Sequence, residues 1–326
     1  MLQKDSFADL FRTMDRTTLP LSSLHAWIAP VTDDARADRS LPPASGTNAS
    51  VRAFAAAMIG LGILGLVHGD FALVWQRIPI EPLPGRTAIA YACAVVELLG
   101  GIGLLLKPAS TLALRLLFAF LLLWLVLLKL PAVVLIPRME ATWLGFGEIA
   151  VMLAGVWIPL AADAGLQRRR TLKFVVGANG IRCARFLFIA SLPMIGLSHF
   201  VYAAETVAYV PRWLPFPLGW AYLTGAASLA TCLGLLCGVW PRLAATAEAT
   251  MLGVITLLVW GPGLFALPPD RTQWTGFMIS AAIAGAAWVV ADSYRAAAWF
   301  AAGRSASTIT PTECSARPNR IPPAAD

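Results

Sequence analysis

The sequence is short of charge, of paired cysteines and of the strict apolar–polar alternation that a β-barrel needs. Asp, Glu, Lys and Arg make up 13% of its 326 residues, against about 25% in a soluble domain. Set beside 58% hydrophobic residues and a mean hydropathy of +0.70, that shortage excludes an ordinary soluble globule, a disordered chain and a nucleic-acid binder. The five cysteines, Cys93, Cys183, Cys232, Cys237 and Cys314, form no CxxC pair and show no Cys/His ligand spacing. Neither a disulfide framework nor a metal site is expected, and a thiol relay is disfavoured. A secretory signal is also not expected, because Asp5, Asp9 and Asp15 interrupt the start where an apolar core should follow a basic stretch.

What the sequence does have is long apolar runs. Eight of them, at about 53–74, 87–106, 111–131, 143–162, 184–203, 218–238, 243–264 and 275–296, are each near the ~20 residues that carry a helix across the hydrocarbon core. Prolines punctuate the breaks, among them Pro84, Pro108, Pro131, Pro137, Pro211 and Pro262. A helix satisfies its own backbone where water is missing, so the expected fold class is all-α: a polytopic membrane protein with eight transmembrane helices as two repeated four-helix bundles. The expected division is a cytoplasmic, disordered tail over 1–50, a first four-helix repeat over 51–162, a basic cytoplasmic linker over 163–183, a second repeat over 184–298 and a disordered tail over 299–326.

The net charge of +7 is explained by placement. With the N-terminus inside, about three-quarters of the Lys and Arg fall on the inner side, anchored by Arg168–Arg170 between the fourth and fifth runs. The outer side keeps Arg77, Arg86, Lys129, Arg138, Arg212 and Arg271. Both termini are therefore expected in the cytoplasm, with the protein integral to a bacterial inner membrane.

Self-comparison at an offset of 131 residues gives a gapless match. Gly65-Leu66-Val67-His68 returns as Gly196-Leu197-Ser198-His199, Leu83-Pro84 as Leu214-Pro215, and Ala90-Tyr91 as Ala221-Tyr222. Pro131, Pro137, Trp143, Gly145 and Trp157 return as Pro262, Pro268, Trp274, Gly276 and Trp288. His, Pro, Tyr and Trp in one register point to an internal duplication. Four spans per half give both halves the same orientation, a parallel repeat, with small residues such as Gly60, Gly62, Gly100, Gly101, Gly285 and Ala286 allowing close helix approach.

The segment Glu97-Leu-Leu-Gly-Gly-Ile-Gly-Leu-Leu-Leu resembles the second-helix signature of the DoxX and DoxX-like membrane proteins, and Arg52 with Gly60 and Gly65 resembles that family's first helix. Trp213-Leu-Pro-Phe-Pro-Leu-Gly-Trp-Ala-Tyr-Leu-Thr-Gly-Ala-Ala is similar to its loop and second helix. The resemblance implies a four-helix membrane bundle in each half, together covering about 51–298. It also implies an association with quinone-linked oxidation or oxidative-stress complexes. The second half departs from the pattern at Ser228, which stands where Glu97 would repeat.

Ionisable residues inside spans are costly and mark candidate sites. The first half carries His68, Asp70, Glu97, Lys129 and Glu148, which with the topology above share the outer half of the bilayer, Glu97 just below the rest. These five form the candidate intramembrane pocket; the alternative is a packing cluster in which Lys129 pairs with Glu148 or Asp70. The second half keeps His199, with Glu205 and Glu248 as its acids at other depths, so the pocket is expected in the first half alone. A haem held by His68 and His199 is one reading of the repeated histidines, and helix-end histidines bonded to loop carbonyls the other. Tyr91 and Tyr222 mark the same repeat. Trp75, Trp143, Trp213, Trp220 and Trp274 read as interfacial anchors, and the outer loops at 75–86 and 211–220 as lids over the pocket or as surface loops.

Three functions are carried forward. The first is a membrane subunit of a redox system, without independent catalysis, in which the cluster binds a quinone headgroup and Glu97 and Glu148 move protons. The second is a binder or transporter of a small molecule or lipid. The third is a structural membrane subunit. Quinone and haem are the cofactors in view; the bilayer and a redox protein are the partners, and nucleic acid is not.

Overall fold

A computed structural model of the chain describes residues 48–72, 76, 84–167, 175–265 and 270–301. The expectations placed on residues 1–47, on Trp75, Arg77, Arg168–Arg170, Pro268 and Cys314, and on most of the loop at 75–86 and of the tail at 299–326 lie outside the described residues. Among the described residues the structure is helical, with no strand. Eight helices are long and apolar enough to cross a membrane: α1 (Ala49–His68), α2 (Arg86–Leu105), α3 (Lys107–Leu135), α4 (Glu140–Ala161), α5 (Gly177–Val201), α6 (Pro217–Cys237), α7 (Pro241–Phe265) and α8 (Arg271–Asp292).

These spans match the apolar runs to within a few residues, and the differences have local causes. Helix α1 stops at His68 because Gly69 takes a left-handed conformation (φ 60°) and returns its N–H to Gly65 O, a glycine C-cap. Helix α5 begins at Gly177, seven residues before the run at 184, so the linker is shorter than 163–183 and carries a short helix over Ala164–Gln167. Pro131 does not end α3. A π-turn over Leu125–Lys129 closes with Leu130 N–H bonded to Leu125 O, and helix resumes through Leu135 with Pro131 in its first turn. The wider turn absorbs the proline's missing donor. Pro262 likewise follows a π-turn, over Thr256–Trp260.

Element bounds recur at the 131-residue offset. Ser110–Trp124 corresponds to Pro241–Ile255, and Leu125–Lys129 to Thr256–Trp260. Glu140–Ala161 corresponds to Arg271–Asp292, and Arg86 at the start of α2 to Pro217 at the start of α6. The residues before those last two, Gly85 and Phe216, both have positive φ, 69° and 55°.

The spans pack as a closed chain of neighbours: α1 on α2, α2 on α3, and so on to α7 on α8 and α8 back on α1. Helices α4 and α8 meet across the middle. Two lobes therefore share α4 and α8. The contacts α4–α5 and α8–α1 cross between the halves, so the packing is not that of two self-contained four-helix bundles. The shared helices are the most buried, as their all-round apolar faces require. Ile149, Ala150, Val151 and Met152 on α4, and Ala282, Ala286, Ala287 and Val290 on α8, have no exposure.

The chain stays ordered beyond α8. Trp299 lies under the Arg242 guanidinium at 4.1 Å, Phe300 packs edge-on against Trp240 at 5.9 Å, and Trp240 N–H donates to Ala301 O at 2.8 Å. Residues 299–301 thus pack against the start of α7.

Candidate functional site

Glu97, the twelfth residue of α2, is 1% exposed. Its partner comes from outside the helices. Gln76, 2% exposed, donates from Nε2 to Glu97 Oε1 at 2.5 Å. Gln76 is itself held by Ala72, whose N–H donates to Gln76 Oε1 at 2.9 Å and whose carbonyl accepts the Gln76 N–H at 3.3 Å. Phe71 packs edge-on against Trp124 beside it, ring centroids 5.9 Å apart. Gln76 is thus buried against Glu97 and satisfies an acid that is expensive to leave unbonded. Nothing periodic marked Gln76, yet it is the one uncharged polar side chain between Asp70 and Thr87.

An apolar groove of about 540 Å³ lies between α2 and α3, lined by Ala88, Ala92, Cys93, Val96, Phe120 and Trp124 among others. That volume is within the range of small-molecule pockets. Glu97 follows Val96 directly and is near enough to Cys93 to interact with it electrostatically, so the buried acid stands immediately behind the groove wall.

The remaining candidates separate. Lys129, in the α3 π-turn, interacts electrostatically with Glu148 on α4. A Cβ at Gly145 would lie 3.1 Å from Lys129 Nζ, so the absent side chain at 145 makes room for the lysine. Glu140, at the start of α4, interacts with Glu148, and both its carboxylate oxygens are sealed without a hydrogen-bond partner among the described residues. Glu140 gives no signal in the sequence because it sits before the apolar run.

Asp70 belongs elsewhere. Its Oδ1 accepts from Arg86 at 2.9 Å and from the Phe71 N–H at 2.8 Å, and Arg271 lies 3.6 Å from its other oxygen while donating to Phe71 O at 2.9 Å. Burial alone would raise its pKa, but the Phe71 N–H and the two guanidinium groups outweigh this and hold it below its ordinary value. Asp70 ties the end of α1 to the starts of α2 and α8.

His68 is exposed. His199 Nδ1 shares a hydrogen bond with Thr224 Oγ1 at 2.9 Å. The first stands on a helix packed on α2 and α8, the second on one packed on α4 and α6. The Tyr91 hydroxyl closes over Gly69, whereas Tyr222 stacks on Phe200 at 5.4 Å. Among the described residues no group of three or more His, Cys, Asp or Glu is placed to hold a metal. Trp143 and Trp220 donate to Pro137 O at 2.9 Å and Pro215 O at 3.0 Å, fixing the loops beside them. The five residues expected in one pocket thus have different surroundings: Glu97 bonds Gln76, Asp70 faces two arginines, Lys129 lies near Glu148, and His68 is exposed.

The second half corrects a further expectation. Glu248 on α7, 1% exposed, accepts from Ser228 Oγ at 2.8 Å. Ser228 is the twelfth residue of α6, as Glu97 is of α2, so Glu248, itself at the register of Leu117, bonds the counterpart of Glu97 and reaches its level. A buried acid is therefore not confined to the first half.

Among the described residues the fold is all-helical, with eight helices long and apolar enough to cross a membrane. Residues 188–258 match the family described as Domain of unknown function (DUF8561). No curated protein matches the chain, and no solved structure does.

Proposed function

We propose that this chain is a DoxX-like integral protein of the bacterial inner membrane, with both termini cytoplasmic, that binds an isoprenoid quinone as a subunit of a quinone-linked redox or oxidative-stress system. It is read as a tandem duplication of a four-span unit. The shared residue register, the recurring helix bounds and the paired π-turns support that reading. It contributes binding and placement, and the electron transfer belongs to a partner.

The observation that carries the function is the Gln76–Glu97 pair standing behind an apolar groove between α2 and α3. A quinone is a long apolar tail with a head that accepts hydrogen bonds. The groove suits the tail. The Gln76 amide, or the Glu97 carboxyl when protonated, supplies a donor for a head carbonyl once the groove wall opens by a side-chain rotation. Trp124 lies in the groove lining, so its replacement by Phe isolates its share of the fluorescence that a bound quinone would quench.

The wholly apolar lining favours a second reading, a lipid acyl chain in place of the quinone tail. Solvent extraction of protein purified in mild detergent separates the two. Bound quinone in the wild type, reduced in Glu97→Gln and in the groove-filling Ala92→Trp, supports the first reading. A retained phospholipid with no quinone supports the second. No retained molecule, together with Trp124 fluorescence that added quinone does not quench, rejects both.

A further inference from the structure

Two of the described residues hold a left-handed backbone without being glycine, Phe216 at φ 55° and Trp240 at φ 47°. Both are aromatic, and each stands directly before the proline that opens a span, Pro217 of α6 and Pro241 of α7. An L side chain is disfavoured in that conformation, and a following proline pushes the residue before it toward extended backbone. The counterpart of Phe216 is Gly85, at φ 69°, where the same turn carries no such cost. The counterpart of Trp240, Ala109, has an ordinary right-handed backbone. The main chain is fixed at both places, since Phe216 O accepts the Trp220 N–H at 3.2 Å and Trp240 O the Ala244 N–H at 2.9 Å. Those bonds account for the turns and not for the side chains. Phe216 is 83% exposed and Trp240, which packs on Phe300, is 46% exposed. A strained residue persists where something favours it, and for these two rings the protein interior supplies little.

The two residues flank the two ends of α6. Its 21 residues, Pro217–Cys237, rise about 31 Å at ~1.5 Å per residue, and the hydrocarbon core of a bilayer is about 30 Å thick. One exposed aromatic therefore falls at each boundary of the core, the level at which aromatic rings are favoured in membranes. We propose that Phe216 and Trp240 are a paired lipid contact: each ring lies at the carbonyl and headgroup level of one leaflet, and together they hold α6 to a bilayer whose hydrocarbon thickness matches it. The partner at both ends is phospholipid, because each ring stands where a span leaves the core. Gly85 and Ala109 cannot make the contact, so the second half is the one whose depth is set. The pair is independent of the quinone and of the groove between α2 and α3.

Thermal melting of the full chain in vesicles tests the pair, with monounsaturated phosphatidylcholine chains of about 14 to about 22 carbons so that bilayer thickness brackets the match. The wild type should melt highest near ~30 Å of hydrocarbon and lower on either side. Phe216→Gly and Trp240→Gly should each shrink the spread across the series by about half, and the double variant should nearly abolish it. Phe216→Trp, which keeps a ring, should retain the spread. In detergent micelles, which adapt to the span, Phe216→Gly should melt at or above wild type, because glycine takes the turn freely. A wild-type melting temperature indifferent to chain length overturns the pairing, as does an unchanged profile in the glycine variants. A loss for Phe216→Gly as large in micelles as in vesicles assigns its ring to a protein contact and also overturns it.

Discussion

Gly155 and Ala286 touch at the centre of the protein, and each is the other's counterpart at the 131-residue offset. A Cβ built on Gly155 would fall 2.5 Å from Ala286 Cβ and 2.6 Å from its Cα. A contact between a position and its own counterpart is what a two-fold axis passing between α4 and α8 would produce. The close approach exists because residue 155 has no side chain.

Gly155→Val therefore forces the two central helices apart. Overpacking of this kind costs about 1–3 kcal/mol, and more where backbone must move. A clear fall in melting temperature in detergent is expected, while Gly60→Ala, which meets only the flexible end of Met278, should be mild. Equal melting of the two variants would contradict the packing.

Gln76→Ala removes the one donor that reaches Glu97 among the described residues. Leaving a buried acceptor unbonded costs about 1–3 kcal/mol. Adding Glu97→Leu should recover part of this, since the acceptor goes with the donor, and a double-mutant cycle measures the recovery. Strict additivity of the two changes would show that the pair does not act as one.

Gly276 and Gly145 are counterparts that receive different side chains. A Cβ at Gly276 would lie 2.3 Å from the Trp260 ring, whereas one at Gly145 would lie 3.1 Å from the mobile end of Lys129. Gly276→Ala should lower stability by more than Gly145→Ala, because an indole ring cannot bend aside as an aminobutyl chain can. The comparison is made by melting both variants, and the reverse order would overturn it.

Asp70 sets an acid limit. Its folded pKa is below the ordinary 3.8, so the arginine contacts stabilise the fold above about pH 4 and are lost as pH falls through the folded value. The side chain is 30% exposed, which limits the contribution to about 1 kcal/mol or less. Asp70→Asn should melt slightly below wild type at neutral pH, and the gap should close below pH ~3. A gap that persists at low pH would assign the effect to something other than charge.

Reporter fusions test the topology. A fusion after Arg86 should report outside and one after Arg170 inside. The opposite result at Arg86 would invert the assignment of every loop.

The sequence by itself determined the class and most of the element list. Length and apolarity define spans, because a helix is how a backbone satisfies itself without water. Proline and glycine then mark most helix ends. It also exposed Glu97, Lys129 and Glu148, because charge inside an apolar run stands out. It could not assign partners. Gln76 looks like loop until it meets Glu97 inside the bundle, Glu140 sits just outside its run, and Glu248 occupies the register of a leucine. Asp70 and Arg271 are two hundred residues apart in the chain and meet only because α8 packs on α1. Those choices belong to the tertiary structure, since which buried polar group meets which depends on the closure of the ring of helices, and no local pattern encodes that.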